Sequence, residues 1–400
     1  MPRFPTDWRS IPLAHAGRWL SGGTPLTSNV LYWEGEIPWI SAASLKDFRI
    51  RDSDRRLTAL GAAAGTRVVP KGTVLFVVRG MSLKSEFRIG ITDREVAFGQ
   101  DCKAIVAAPG VDARFLAYSL KAHDAHILAM VDEAGHGTGR LPTDLLARLS
   151  IGVPVWSEQR RIVQILDSVD ESIRTTHATI AKAMTLRRGL LQQLLRNVEG
   201  NSEWRQLSEI SVNGGEYGSN APALPFDERL PRYVRITDID HNGRLSGATR
   251  ASISKAVGRL YLLRPGDLLL ARTGFTTGKS YLYQTSDGEC AFAGYLIRFA
   301  VDPARADPRY VFLWTQSDQF ARWVGQTIHE VGQRNISATE YARHSLPVPA
   351  IDAQRSIVDS VKGLDDRITI ETARLEKLKA IERGLTNDLL TGRVRVSEAD

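Results

Sequence analysis

Apolar positions along the chain follow two rhythms. Over residues 154–199 they recur alternately four and three apart, at Ile162, Leu166, Val169 and Ile173, then at Ile180, Leu190 and Leu194, with Arg187 interrupting. Over 349–392 the spacing returns at Ile357, Val361, Leu364 and Ile368, then at Leu375, Leu378, Leu385 and Leu389, with Glu371 and Glu382 interrupting. Each stretch opens at a proline, Pro154 or Pro349, and then runs about 40 residues without another, which predicts one long helix bearing an imperfect heptad seam. Such a helix would measure roughly 60 Å. The rest of the chain, 1–153 and 200–348, is shorter in grain. "TVLFVV", "LLLA" and "YLIRFAV" read as strands, "ARFLAYSLKAH" and "RYVFLWTQSDQFARWV" as amphipathic helices, and glycine turns separate them.

These two rhythms alternate because the chain is written twice. Displaced by 194 to 196 residues, the sequence meets itself at six landmarks in the same order. "DWRSIPL" at Asp7 answers "EWRQLSEI" at Glu203; Ile40 and Ser41 lie over Ile236 and Thr237; "GTVLFVVRG" (Gly72–Gly80) answers "GDLLLARTG" (Gly266–Gly274). "DREVAF" at Asp93 answers "DGECAF" at Asp287, "GVPVWSEQRRIVQILDSVD" answers "LPVPAIDAQRSIVDSVKGLD", and "RRGLLQQLL" answers "ERGLTNDLL". The expected architecture is α+β: two tandem globular units, each followed by a long helix, and a tail over 393–400. A single amphipathic helix usually packs on its own domain. Two long helices with matching seams favour pairing with each other as an antiparallel coiled coil about an internal pseudo-twofold axis.

Composition narrows the class. Charged content of 24% and hydrophobic content of 43% are those of a folded globular protein. No apolar run approaches the roughly 20 residues a membrane helix needs, and "MPRFPTDW" carries no apolar signal core. Two lone cysteines, Cys102 and Cys290, fit a reducing cytoplasm. The net charge is +7, and the first 200 residues hold 26 Lys and Arg against 20 Asp and Glu. That permits a polyanionic partner without naming one.

"ARTGFTTGKS" (271–280) ends like a phosphate-binding loop, but its glycines are four apart where a P-loop needs five, and a strand pattern follows where a helix should begin. An ATPase using Lys279 is therefore disfavoured. Arg79 with Lys84 and Arg272 with Lys279 occupy nearly the same places in the two copies, and Arg140 and Arg334 end matched glycine loops, "EAGHGTGR" and "HEVGQRNIS". Each is either an ordinary surface cation or a contact to phosphate and base edges. His123 and His126 read as a helix-surface pair rather than a metal site. No nucleophile, dinucleotide or metalloprotease motif is present, so no catalytic residue and no metal site is expected.

The "P…QR-IV…D…D" helix openings, the "RGL…LL" closings and the "LEKLKAIERGLTNDLLTGRVRV" tail make the chain resemble the specificity subunits of type I restriction-modification systems. The resemblance spans nearly the full length; in the globular units it rests on layout more than motif. It implies two target recognition domains (1–153 and 200–348), each reading one half of a split, asymmetric sequence in double-stranded DNA, and two helical spacers (154–199 and 349–392). Two methyltransferase subunits would dock there, with restriction subunits where a system has them. S-adenosylmethionine, ATP and Mg²⁺ would belong to those partners and no cofactor to this chain. Expected DNA contacts are Arg79, Lys84, Arg140, Arg272, Lys279 and Arg334, with Ser41 and Thr237. Expected helix and partner contacts are Ile162, Leu166, Val169, Ile173, Ile357, Val361, Leu364 and Ile368. The rival reading is a coiled-coil scaffold whose globular units bind protein.

Overall fold

The computed structural model describes residues 4–134, 137–240, 242–247, 250–328 and 335–396. Packing divides the chain into two compact units, Met1–His177 with Arg374–Asp400, and Ala178–Ala373. Two long helices, Trp156–Glu199 and Ile351–Leu390, each begin in one unit and end in the other.

In the first unit the opening strand Arg9–Pro12 pairs antiparallel with Ser150–Val153, the strand that runs into the first long helix. A five-stranded sheet runs in the order Gly17–Ser21, Cys102–Ala107, Val74–Val77, Ile89–Thr92, Arg49–Ile50. Its middle strand, from the "TVLFVV" run, is buried throughout, which is why it reads as continuously apolar. A second sheet orders Arg56–Leu57, Trp33–Ile40, Val96–Phe98 and Arg67–Val69, with the middle pair parallel.

The second unit repeats this plan. Glu203–Gln206 pairs with Ser345–Val348 ahead of the second long helix. Glu216–Tyr217, Leu296–Ala300, Asp267–Ala271 and Ser280–Leu282 follow the same sheet order, and Arg232–Val234 lies parallel to Cys290–Phe292. One close approach recurs in both copies. A Cβ on Gly22 would lie 2.2 Å from the Phe98 carbonyl, and one on Gly218 would lie 2.4 Å from that of Phe292. Neither position admits a side chain.

Two expectations are revised. "RYVFLWTQSDQFARWV" forms two helices, Pro308–Trp314 and Asp318–Thr327, because the Ser317 side chain accepts from the Phe320 N–H and caps a new one. The seam of the first long helix also shifts near its end. Leu191 and Leu195 are the buried residues (1% exposed each), while Leu190 and Leu194 are half-buried. The expected run skipped Thr176 and Ala183, both buried, which carry the seam across its middle.

In the first unit Ile162, Val163 and Leu166 pack with Leu389 and Leu390 from the end of the second helix, and with Trp8, Phe115 and Tyr118 of the globular part. In the second, Leu191 and Leu195 share a core with Ile357, Val358 and Val361. Early turns of one helix thus meet late turns of the other, which is antiparallel pairing. One ionic contact joins the two helices and another ties the second helix to the globular part. Arg187 holds Asp365 through Nε at 2.6 Å, and the Lys121 ammonium of the globular part holds Glu382 at 2.7 Å.

Candidate nucleic-acid interface

In the first unit a tight hairpin, Asp132–Ala134 and Thr138–Arg140, adds Arg79–Gly80 as a third strand. Its glycines are structural. Gly137 has φ +72°, and a Cβ on Gly139 would lie 2.9 Å from that of Leu83. The register sets Arg140 directly opposite Arg79, and both side chains are exposed. Like charges opposed across a ladder repel. Asp132 lies across from Arg140 on the other side, so the row Asp132–Arg140–Arg79 keeps one net positive charge facing water. Lys84 reaches the same corner, its ammonium 3.6 Å from the Glu133 carboxylate in an exposed pair. Such a pair holds weakly and yields readily to a phosphate.

Ser41 does not point outward. Its hydroxyl accepts from the Ser44 N–H at 3.1 Å, and its own N–H donates to the Ser44 hydroxyl at 2.9 Å, which closes a turn. That turn lies against the arginine strand, because a Cβ on Gly80 would stand 3.7 Å from that of Ala42. Arg88, which the sequence reading passed over, pins it by donating to the Ala42 carbonyl at 3.4 Å.

The second unit repeats the loops with different side-chain placement. The Arg272 backbone donates to Tyr295 and accepts from Ile336. In the first unit the residue with the corresponding bonds, to Asp101 and from Leu141, is Val78. Arg79 therefore matches Thr273, and the two arginines stand one residue apart, on alternate faces of their strands. Arg272 is half-buried, its Nε donating to Asn335 at 3.0 Å and its guanidinium lying over the Tyr217 ring. Lys279 is also half-buried and donates to the Ile239 carbonyl at 3.3 Å. Thr237 is exposed, and Arg334 lies outside the described residues. The first unit thus brings Arg79, Lys84 and Arg140 to one corner, whereas the second occupies Arg272 and Lys279 internally.

Phosphate chemistry at Lys279 has no support. The chain passes from a short turn, Gly274–Thr276, into the strand Ser280–Leu282, so the loop does not run on into a helix as a phosphate-binding loop does. Among the described residues no His, Cys, Asp or Glu group is placed to hold a metal ion. Burial pushes the thiols of Cys102 and Cys290 up to about 12, which makes them poor nucleophiles.

Of the apolar residues expected to join helices or partners, Ile162, Leu166, Ile357, Val361 and Ile368 are buried, and Val169, Ile173 and Leu364 are half-buried. Ile162 and Leu166 are packed inside the first unit and Ile357 and Val361 inside the second, so these four cannot receive a partner. Among the described residues, the large apolar side chains of the long helices that face outward are Trp156, Leu186, Ile370 and Ile381, 48–67% exposed.

The model of the "Type I restriction modification DNA specificity domain" matches residues 5–184. The EcoR124I/EcoR124II specificity subunit of Escherichia coli is 25% identical over 183 residues, and the matched stretch spans 45% of each protein. The MjaVIII specificity subunit of Methanocaldococcus jannaschii is 20% identical over 98% of this chain and 94% of its own. Among solved structures, the type I S subunit of M. genitalium shares the fold with a TM-score of 0.64 at 15% identity, covering 96% of both chains. A chain from a study of type I complex assembly and conformational transition gives 0.55, also at 15% identity, covering 98% of this chain and all of that one.

Proposed function

We propose that this chain is a specificity subunit of a type I restriction-modification system, the DNA-reading, non-catalytic subunit of such a complex. Each globular unit would read one half of a split target, and the long helices would fix the gap between the halves. Two methyltransferase subunits would bring S-adenosylmethionine, and a restriction subunit, where the system has one, would bring ATP and Mg²⁺. The observation that carries this reading is the corner where Arg79 and Arg140 stand opposed and exposed beside Lys84. An arrangement that keeps a net positive charge facing water suits a phosphate backbone or a guanine edge. An asymmetric target follows from the unlike loops. Arg79 and Arg140 project from the first unit, whereas Arg272 and Lys279 are held by Asn335, Tyr217 and Ile239 in the second.

The test is methylation mapping in a host carrying this chain and its neighbouring methyltransferase, with the chain present or deleted. A split, asymmetric methylated motif that vanishes with the chain is expected. Methylation indifferent to the deletion would remove DNA addressing and restore the protein-binding scaffold.

A further inference from the structure

The late turns of both long helices repeat one short surface. Lys182, Leu186 and Gly189 lie at i, i+4 and i+7 of the first helix, so they stand one above another, with Arg188 beside them. Lys377, Ile381 and Gly384, with Arg383, hold the aligned positions of the second helix. Each set lies within one compact unit. All of these residues are exposed, Leu186 by 54% and Ile381 by 50%. A single exposed apolar residue means little. Among the described residues, however, these two are the only outward apolar side chains of the long helices that are aligned copies of each other.

The glycines carry the argument further. Glycine inside a helix lowers stability, because its backbone gives up more freedom on folding than any other. Nothing in the chain itself calls for Gly189 or Gly384. Both lie inside helices and neither has a positive φ. A Cβ on either would meet no described atom within 4 Å. Both copies thus keep a bare stretch of helix backbone facing water, and the reason for it lies in something outside the chain that comes close.

The surface is positive in both copies. Residues 172–198 of the first helix hold Arg174, Lys182, Arg187, Arg188 and Arg196 and no Asp or Glu. Arg187 is taken up by Asp365, and Arg188 shares an exposed pair with Asp318 at 2.6 Å, which costs little to break. In the second helix Lys379 holds Glu376 at 3.1 Å and Lys121 holds Glu382 at 2.7 Å, so Lys377 and Arg383 set the charge beside Ile381.

We propose that each of these surfaces seats one methyltransferase subunit, through a helix that crosses at Gly189 or Gly384 and brings apolar side chains and a carboxylate. This rests on the partner assignment made above and adds where on the chain each copy docks. Duplicated surfaces call for two copies of one partner, and the methyltransferase is the subunit expected twice. A helix axis comes nearest where the side chain at the crossing is smallest, which is the use of the glycine. Leu186 and Ile381 at the centre suit a protein rather than a phosphate backbone, which offers them only charge. A second copy of this chain would set like charges together.

The experiment co-expresses the full chain with its methyltransferase, weighs the purified complex by native mass spectrometry, and titrates docking affinity at fixed salt. The wild type should carry two methyltransferase subunits. Gly189→Gln and Gly384→Gln should each carry one and the double variant none, with each affected docking weakened about 30- to 1,000-fold, the range of an interface hot spot. Leu186→Glu and Ile381→Glu should each repeat the loss of one subunit. Because glutamine is a good helix former, the glycine variants alone should unfold at the wild-type temperature or up to about 4 °C higher. A lower midpoint would show that the chain itself needs the glycine and would overturn the proposal. Variants that keep both subunits at wild-type affinity would overturn it too; if they lost DNA affinity or a restriction subunit instead, the surface would belong to that partner. A wild type that carries no methyltransferase would sink the partner assignment itself.

Discussion

His344 shows how far one buried side chain departs from its solution behaviour. It is 8% exposed, its Nε2 accepts from the Trp314 indole N–H at 3.0 Å, and its ring lies 4.3 Å from that of Trp323. Burial pushes its pKa down to about 4, against an ordinary value near 6.5. The folded protein therefore holds this proton more weakly than the unfolded chain does. The stability contributed by neutral His344 is complete above pH ~6.5 and is lost as pH falls toward ~4. Over that window the loss should reach about 2–3 kcal/mol. Urea unfolding of the wild type at pH 7 and 5, set against His344→Phe, checks it: the variant should lose most of the pH dependence. Nothing in the sequence marks this residue, since its neighbours Trp314, Phe320 and Trp323 reach it only through folding. The surface was partly legible. Matched loops single out Arg79, Lys84 and Arg140, which lie exposed at one corner, but spacing could not reveal that Arg272 is one residue out of step with Arg79.

Between elements, the most informative contact is a glutamine repeated in both copies. Gln159, fully buried in the first turns of its helix, accepts from the Asp112 N–H at 2.8 Å and donates to the carbonyls of Gly110 and Pro154, each at 2.9 Å. Gln354 repeats this, accepting from Asp307 at 2.8 Å and donating to Pro349 at 2.7 Å. Asp112 and Asp307 are themselves N-caps of globular-domain helices, so one amide joins each long helix to the start of another. This is the physical content of the "QR" in both helix openings. Gln159→Ala leaves one buried N–H and two carbonyls unpaired and should cost roughly 2–4 kcal/mol, whereas Gln164→Ala on the exposed face should cost within about 0.5. Chemical denaturation of the two variants separates them. The helices themselves were legible from periodicity. The last turns of the first helix were not, because an α-helix drifts out of a strict seven-residue repeat, and Leu191 and Leu195 also face Leu207, Ile210 and Tyr310 of the globular core.

At the scale of the molecule, binding to DNA through opposed arginines should be strongly salt-dependent. Log affinity should fall with log salt by about 0.9 for each phosphate neutralised. Charge reversal at Arg79 and Arg140 together should flatten that slope by roughly two and leave unfolding unchanged. A titration of affinity across potassium chloride concentrations reads it directly, and an unaltered slope would free these arginines from phosphate contact. The two-copy plan was legible in the sequence because duplication keeps landmarks in order. Which side chains each copy turns outward was not, because the loops diverged while the strands beneath them stayed in register.

The first compact unit is closed by residues from the far end of the chain. Arg395 grips Asp7 at 2.6 Å and Glu158 at 2.7 Å, Gly392 (φ +71°) leaves room for Pro5, and Leu389 and Leu390 complete the core around Trp8. At ribosomal rates of about 5–20 residues per second, the roughly 200 residues that intervene take about 10–40 s to emerge. Throughout that interval the nascent first unit holds Trp8, Ile162 and Leu166 without their lids, as a client for chaperones and proteases. A message cut short before codon 389 leaves it in that state permanently. The fold thus inspects its own translation, since the unit around Trp8 is finished only when the second long helix has been read to Leu390.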